Sequence, residues 1–295
     1  MWKELNLWWN TYRNEPSLHR KRCGAYDDMD CHDTLQKIGS EVCMISVVIF
    51  VFLIGMCIAS FAGLCADRLP VHKSVITGRS HCDHCDHVLA WYDLLPVAGY
   101  VLCKGKCRYC GKELKWSYPL EEMAGGIMAC ICYMHYGNSI LTLSSFVIVM
   151  ILYVISVVDY KTMVIYDSTV IVLAIAGILH VLCQGNVDMK QILISMMIIS
   201  VPMYLINLFI KNAFGMGDVE LMAISGIFLT PMENVLAFMI GEFMCGVVCM
   251  YMLMNGRRDR NTHVPFAPYL SIGIVLSMLY GTQMIMWYLT IWCSI

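Results

Sequence analysis

VVDYKTMVIYDSTV, residues 157–170, separates two apolar runs, 139–158 and 169–184, that carry almost no charge. Two apolar runs joined by a short polar break read as two membrane helices and a turn. The rest of the chain repeats that pattern. Hydrophobic residues make up 59% and charged residues 14% of the sequence, and the mean hydropathy is +0.64. A water-soluble domain carries about a quarter charged residues, so this composition belongs to a polytopic protein of the lipid bilayer. The formal net charge of −2 points to no partner, and no block of like charge suggests nucleic acid. The first 41 residues mix charges, aromatics and Pro16 without an apolar h-region. No secretory signal is therefore expected, and the first apolar run would act as its own membrane signal.

Outward from the opening stretch, eight apolar runs lie at roughly 43–65, 123–137, 139–158, 169–184, 190–210, 219–231, 233–254 and 266–292. The expected fold is an all-α polytopic membrane protein of about eight transmembrane helices. A small zinc-binding cytoplasmic domain would lie between the first and second. The chain then divides into an N-terminal extension (1–41), a first span (42–65), a polar segment (66–122) and the remaining helices (123–295). In the extension, Trp2, Trp8, Trp9 and Tyr12 beside basic residues suit an interfacial segment. A poorly ordered tail explains them equally well. Orientation follows from Lys and Arg. With segment 66–122 in the cytoplasm, thirteen of the twenty basic residues fall on that side, with Lys190 and the six of the extension opposite. The positive-inside rule favours this arrangement.

Carboxylates at the edges of apolar runs are the candidates for chemistry. Asp159 and Asp167 lie in the opening stretch, and Asp218 lies in NAFGMGDVELMA, 212–223, where another apolar run begins. Both breaks fall at the cytoplasmic ends of their spans, so a bundle can bring an Asp from each together. An ionisable group in such a place costs about 2.5–3.5 kcal/mol on insertion scales. Taken singly, each has a structural explanation. Asp167 and Asp218 can cap the helices that follow them, whereas Asp159 follows an apolar run, where an anion opposes the helix dipole. Taken together they raise an aspartyl dyad, in which one carboxyl keeps its proton. Gly215 and Gly217, lacking Cβ, would let a substrate backbone come close.

The polar segment carries CDHC at 82–85 and CRYC at 107–110, two C-x2-C knuckles separated by 21 residues. That spacing suits tetrahedral Zn2+ ligation by thiolates. Disulfides compete with this reading and lose if the segment is cytosolic. Cys103, His81, His84 and His87 are near enough in sequence to substitute as ligands. Zinc would be structural, closing a small domain with little core of its own.

With these pieces in place, the sequence resembles the bacterial type IV prepilin peptidases, membrane aspartic peptidases of the GxGD type. The resemblance runs from Ser60 to Gly273 and rests on SFAGLCADRLP, GRSHCDHC, DLLPVAGYVLCKGKCRYCGKEL, YPLEE, VVDYKTMVIYD, FGMGDVELMA and VPFAPYLSIG, in the family's order. It implies cleavage of the basic leader of prepilins and pseudopilins at the cytoplasmic face of the bacterial inner membrane. It also implies methylation of the new N-terminus with S-adenosylmethionine. By motif match the catalytic pair is Asp159 and Asp218, Asp167 is supportive, and Cys82, Cys85, Cys107 and Cys110 are the cysteines of the cytoplasmic domain. Residues 66–122 become the zinc-binding methyltransferase domain and 123–295 the peptidase domain. Gly105 matches a glycine that the family associates with methylation. The sequence departs from the pattern at Glu220, where Lys is usual, and at Tyr166, where Pro is usual.

The residues themselves supply the expected mechanism. An ionised carboxylate takes a proton from water as it attacks the peptide carbonyl, and the protonated one donates to the carbonyl oxygen and then the leaving amine. Glu121, Glu122 and Glu220 would attract a basic leader. Two rival readings are a zinc-containing transporter using the aspartates for cations or protons and a non-catalytic assembly factor of a secretion system. Transport sites sit near the bilayer midplane, whereas these aspartates lie at one boundary. An assembly factor needs no pair of aspartates at all.

Overall fold

The computed structural model describes the backbone of residues 28–75, 78–82, 84–185, 187–210, 213–255 and 264–293, with side chains from residue 42 onward. The aromatic residues at 2–12, on which the interfacial expectation rests, lie outside the described residues. The chain divides into two compact units, Met1–Ile49 and Phe50–Ile295. The second carries every feature of the candidate site.

The described residues are helical with no β-sheet. They form α1 (Asp28–Arg68), α2 (Ala98–Leu102), α3 (Ser117–Tyr136), α4 (Ile140–Thr162), α5 (Asp167–Gln184), α6 (Met189–Phe209), α7 (Met216–Phe228), α8 (Pro231–Met254) and α9 (Ala267–Cys293). The first helix begins at Asp28, well before the apolar run at 43, because helix can continue through polar residues that leave no hydropathy signal. Among the described residues six helices are long and apolar enough to cross a membrane, at Val42–Val71, Ile140–Thr162, Asp167–Gln184, Met189–Phe209, Pro231–Met254 and Ala267–Ile291. The protein is thus a multi-pass membrane protein. The two other expected spans are helices of a different kind. α3 has 20 residues but carries Glu121 and Glu122 near its start. α7 has only 13 residues, or about 20 Å of helix against a ~30 Å hydrocarbon layer.

α4 is the centre of the bundle. Its Ile148, Leu152 and Ile155 pack with Leu173 of α5, Leu221 and Met222 of α7, and Leu270 and Ile274 of α9. Its other side, with Phe146, Val149 and Val158, packs on Ala59 and Ala62 of α1 and Ala129 and Cys132 of α3. Small residues let α1 and α3 approach closely, since a Cβ added at Gly125 would collide with that of Ala59. The outer faces of α6 and α8 carry exposed Leu193, Met197, Met239, Phe243 and Val247, as lipid contact requires.

The short α7 is fixed by buried hydrogen bonds. Ser225 Oγ donates to Asn234 Oδ1 at 2.8 Å, and Asn234 Nδ2 donates to the Ser195 carbonyl at 2.8 Å. Ser195 Oγ donates to the Leu229 carbonyl just beyond the helix, also at 2.8 Å. Each of these polar groups lies in an apolar interior, where an unpaired partner costs about 1–3 kcal/mol.

Candidate active site and metal centre

The break between α4 and α5 turns on Met163, which adopts a left-handed conformation with φ 54° and donates its N–H to the Asp159 carbonyl at 2.7 Å. Asp159 lies one turn earlier, in the last turn of α4, and is only 6% exposed. Its unfavourable place at a helix C-terminus has a compensation. The N–H of Ala267, the first residue of α9, donates to Asp159 Oδ2 at 3.1 Å. The carboxylate therefore sits against the positive end of a second helix. Asp218 is 9% exposed and occupies the first turn of α7, whose cap is Gly215. It lies within electrostatic reach of Asp159. Both carboxylates thus meet helix N-termini, one through its own helix and one through a neighbour.

The two glycines of GMGD are needed for packing inside the protein. A Cβ at Gly215 would stand 2.8 Å from Asp218 Oδ2, and one at Gly217 would stand 2.8 Å from Ile165 Cβ. Ile165 belongs to the first break, so the Gly217 contact is where the two breaks meet. Asn207 near the end of α6 holds the loop from the other side. Its Oδ1 accepts the Phe214 N–H at 2.8 Å and its Nδ2 donates to the Phe214 carbonyl at 3.0 Å. The Phe214 ring lies 6.2 Å from that of Phe266, the residue before Ala267. Sequence reading assigned no role to Asn207 and took the VPFAP stretch only as part of the family resemblance. Their partners are far away in the chain, and no spacing rule connects them.

Asp167 stands apart. It is exposed in the first turn of α5, and the cap position is Tyr166, with no side-chain capping bond. Glu220 is also exposed, on α7. The break is tied instead to the end of α1. Lys161 Nζ pairs with Asp67 Oδ1 at 2.7 Å, and the Tyr166 ring meets that of His72 edge-on at 5.8 Å.

The cysteine-rich segment folds as two copies of one turn. Cys82 N–H donates to the His87 carbonyl at 3.0 Å and Cys107 N–H to the Lys112 carbonyl at 2.7 Å. The fourth residue after each cysteine, Asp86 or Gly111, has positive φ and returns its N–H to that cysteine's carbonyl. Isolated bridges, His81 with Val88 and Lys106 with Glu113, close both turns. The Sγ atoms of Cys82, Cys85, Cys107 and Cys110 all lie within 4.8 Å of one another, and the described cysteines are free thiols. Four sulfurs at ~2.3 Å from one Zn2+ stand about 3.8 Å apart, close to the 3.9 Å between Cys82 and Cys110. Backbone N–H groups of Cys110 and Tyr109 lower the Cys107 thiol to about 7. At Cys85 a backbone hydrogen bond from His87 is outweighed by desolvation and the neighbouring Cys82 and Cys110 sulfurs, which raise that thiol to about 11. The cluster can hold a metal ion such as zinc.

Three of the four alternative ligands have other partners. Cys103 Sγ lies by Asp93 and Arg108, the His87 ring lies on Tyr109, and His81 Nδ1 faces the Arg79 carbonyl. Asp93 and Arg108, paired at 3.1 Å, link the region between the knuckles to the second knuckle. Gly105 has φ 70°, and a Cβ there would stand 2.9 Å from Tyr100 Oη.

Residues 146–250, which include both aspartates, match the profile of the type IV leader peptidase family. Residues 53–136, which include all four cysteines, match that of the bacterial peptidase A24 N-terminal domain. The chain belongs to the type IV leader peptidase family. It is a peptidase. Among curated proteins it is similar to a prepilin leader peptidase/N-methyltransferase of Myxococcus xanthus. That relative is 27% identical over 223 residues, covering 72% of this chain and 67% of the relative. Proteins of the same description from Bacillus subtilis (26% identical, 81% of this chain and 96% of the relative) and Aeromonas hydrophila (25%, 81% and 93%) are also similar. No solved structure matches the chain at significance. Membership of the family accounts for the order of the motifs, with a cysteine-rich segment first and the two broken spans after it.

Proposed function

We propose that the protein removes the leader of type IV prepilins or pseudopilins with Asp159 and Asp218 as an aspartyl dyad, and then methylates the new N-terminus. The observation that carries this reading is the meeting of two breaks, through Gly217 and Ile165, with a buried carboxylate beside each. Two such carboxyls share a proton, because both ionise only at high cost. The ionised one activates water for attack on the scissile carbonyl. The other polarises that carbonyl and protonates the departing amine. The Ala267 N–H steadies the Asp159 carboxylate without taking part in proton transfer. The flanking Asp167 is a supporting residue at the mouth of the break, and Gly215 and Gly217 keep the space the dyad needs.

The domains follow from the same reading. Residues 1–41 are an extension and 42–65 the first span. Residues 66–122 form a cytoplasmic domain closed by structural zinc on the four cysteines, and 123–295 form the peptidase. The substrate's apolar helix docks from the lipid, and its leader lies on the cytoplasmic side of the bacterial inner membrane, the side on which most Lys and Arg fall. Methylation takes its methyl group from S-adenosylmethionine, which supplies an electrophilic carbon when bound. The relatives named as N-methyltransferases support that second activity.

Intact-mass analysis of a prepilin incubated with purified protein tests both steps. Loss of the leader with wild type, and retention with Asp159→Asn and with Asp218→Asn, is expected. Added S-adenosylmethionine should give a further gain of one CH2. Cleavage by both variants at the wild-type rate would remove the dyad from the mechanism.

A further inference from the structure

Between the two knuckles, on α2 and just before it, Trp91, Leu94, Leu95, Val101 and Leu102 are all exposed, Trp91 at 75% and Leu102 at 68%. The steps from 94 to 95, 98, 101 and 102 are those of one helical face, and Ala98 on that face is exposed as well. The opposite side is filled by packing within the segment. A Cβ at Gly99 would collide with the Asp93 carbonyl, and the Tyr100 ring lies over Gly105. Large apolar side chains gathered on one surface mark a partner or a membrane.

Two contacts fix this patch to the first turn of α3. The Val97 N–H donates to Glu122 Oε2 at 2.7 Å, and the Tyr100 ring meets that of Trp116 edge-on at 6.0 Å. Trp116, 72% exposed, heads a stripe of α3 that continues through exposed Leu120, Met123 and Ile127. No Asp, Glu, Lys or Arg occurs from 123 to 134, and the other side of α3 packs in the bundle through Ala129 and Cys132. The stripe therefore faces lipid. The patch prolongs it at the end where α3 begins, the level at which a bilayer passes from acyl chains to headgroups and at which Trp is enriched.

Charge points the same way. Residues 104–115 carry five basic side chains against the single Glu113. Arg108 pairs with Asp93 at 3.1 Å and Lys106 with Glu113 at 4.0 Å. Lys104, Lys112 and Lys115 are exposed and have no ion pair among the described residues. We propose that the region between the knuckles lies in the headgroup layer of the bilayer, with Leu94, Leu95, Val101 and Leu102 towards the acyl chains and these three lysines on anionic lipid phosphates. Apolar and cationic side chains side by side are what such an interface binds. A second copy of the chain could cover the apolar face, but it would set the same lysines against one another. The cysteine-rich segment thus has an attachment to the membrane of its own, besides the helices that flank it.

The test uses the full-length protein in nanodiscs of mixed phosphatidylcholine and phosphatidylglycerol whose acyl chains carry bromine near the headgroups, which quenches Trp emission on contact. The emission of Trp91 is the difference between wild type and Trp91→Phe, and that of Trp116 is obtained in the same way from Trp116→Phe. Both should be quenched. Replacing Val101 and Leu102 together by Glu, at positions exposed enough to leave the fold intact, should relieve the quenching of Trp91 and leave that of Trp116 on α3. Trypsin cleavage after Lys104, which follows the undocked population, should be slower in these discs than in phosphatidylcholine alone. Lys112→Gln and Lys115→Gln should each speed it by about fivefold, the worth of one lysine at an anionic surface. Helical circular dichroism identifies variants that have simply unfolded. Trp91 left unquenched while Trp116 is quenched would overturn the placement in lipid. Trp91 emission that changes instead with the number of copies per disc would overturn it in favour of a contact between chains. Equal cleavage in both kinds of disc would overturn the role of anionic lipid.

Discussion

Asp159 and Asp218 differ in how they are held, and their substitutions should differ accordingly. Asparagine at 159 keeps an oxygen to accept the Ala267 N–H, so Asp159→Asn should fold normally while cleavage falls by roughly 10²–10⁴-fold, the usual worth of a general acid–base group. Asp159→Leu also removes the acceptor and should lower the melting temperature as well. Gly217 makes a sharper test of the packing. A methyl there stands 2.8 Å from Ile165 Cβ, and overpacking of this kind costs about 1–3 kcal/mol. Gly217→Ala should lower the cleavage rate. Adding Ile165→Gly, which removes that Cβ together with the Cγ1 and Cδ1 atoms at 3.3 and 3.2 Å, should restore part of it. A double variant no better than the single one would show that the glycine serves the substrate instead. The identity of these residues was readable from the sequence because carboxylates and glycines stand out at the edges of apolar runs. The bond from Ala267 was not, since it joins residues 108 positions apart.

The elements around the two buried aspartates were legible in proportion to how local their signals are. Both knuckles were predicted from spacing alone, because the turn that presents two thiols is complete within a few residues. α7 was expected as a span, but its 13 residues make it a partial one, held by Asn234 and Ser195, whose buried bonds no hydropathy pattern announces. Asn207 is the equivalent device for the GMGD loop. Asn207→Leu leaves the Phe214 N–H and carbonyl without their partner and should speed amide exchange across residues 213–219. Asn207→Asp, which still accepts the N–H, should exchange more slowly than Asn207→Leu. Equal exchange in all three proteins would mean that the Phe rings alone hold the loop.

Across the molecule, stability comes from two unlike sources. The helices share an apolar interior centred on α4, whereas the cysteine-rich segment rests on short turns, the short α2, the His87–Tyr109 ring contact, the Asp93–Arg108 pair and the sulfur cluster. If the cluster holds the proposed zinc, a chelator should open that segment to trypsin at Lys104, Lys106, Lys112 and Lys115 while helical circular dichroism barely changes. Protection unaltered by the chelator would place its stability in the ion pair and apolar contacts. The order of helices and the place of this segment were apparent in the sequence. The extension of α1 back to Asp28 was not, because its polar residues look the same in a helix as in a loop.

One residue of α9 reaches back across the whole peptidase portion to Asp159. The stretch that matches the leader peptidase profile ends at residue 250, before that helix begins. A chain cut there would retain both aspartates and every glycine of the GMGD loop. It would nonetheless leave the first aspartate without its donor, and expose the faces of α4 and α8 that α9 covers. With Asp159 in the proposed dyad, the last helix would be a working part of the enzyme, and supplying it as a separate polypeptide should restore cleavage to the cut chain.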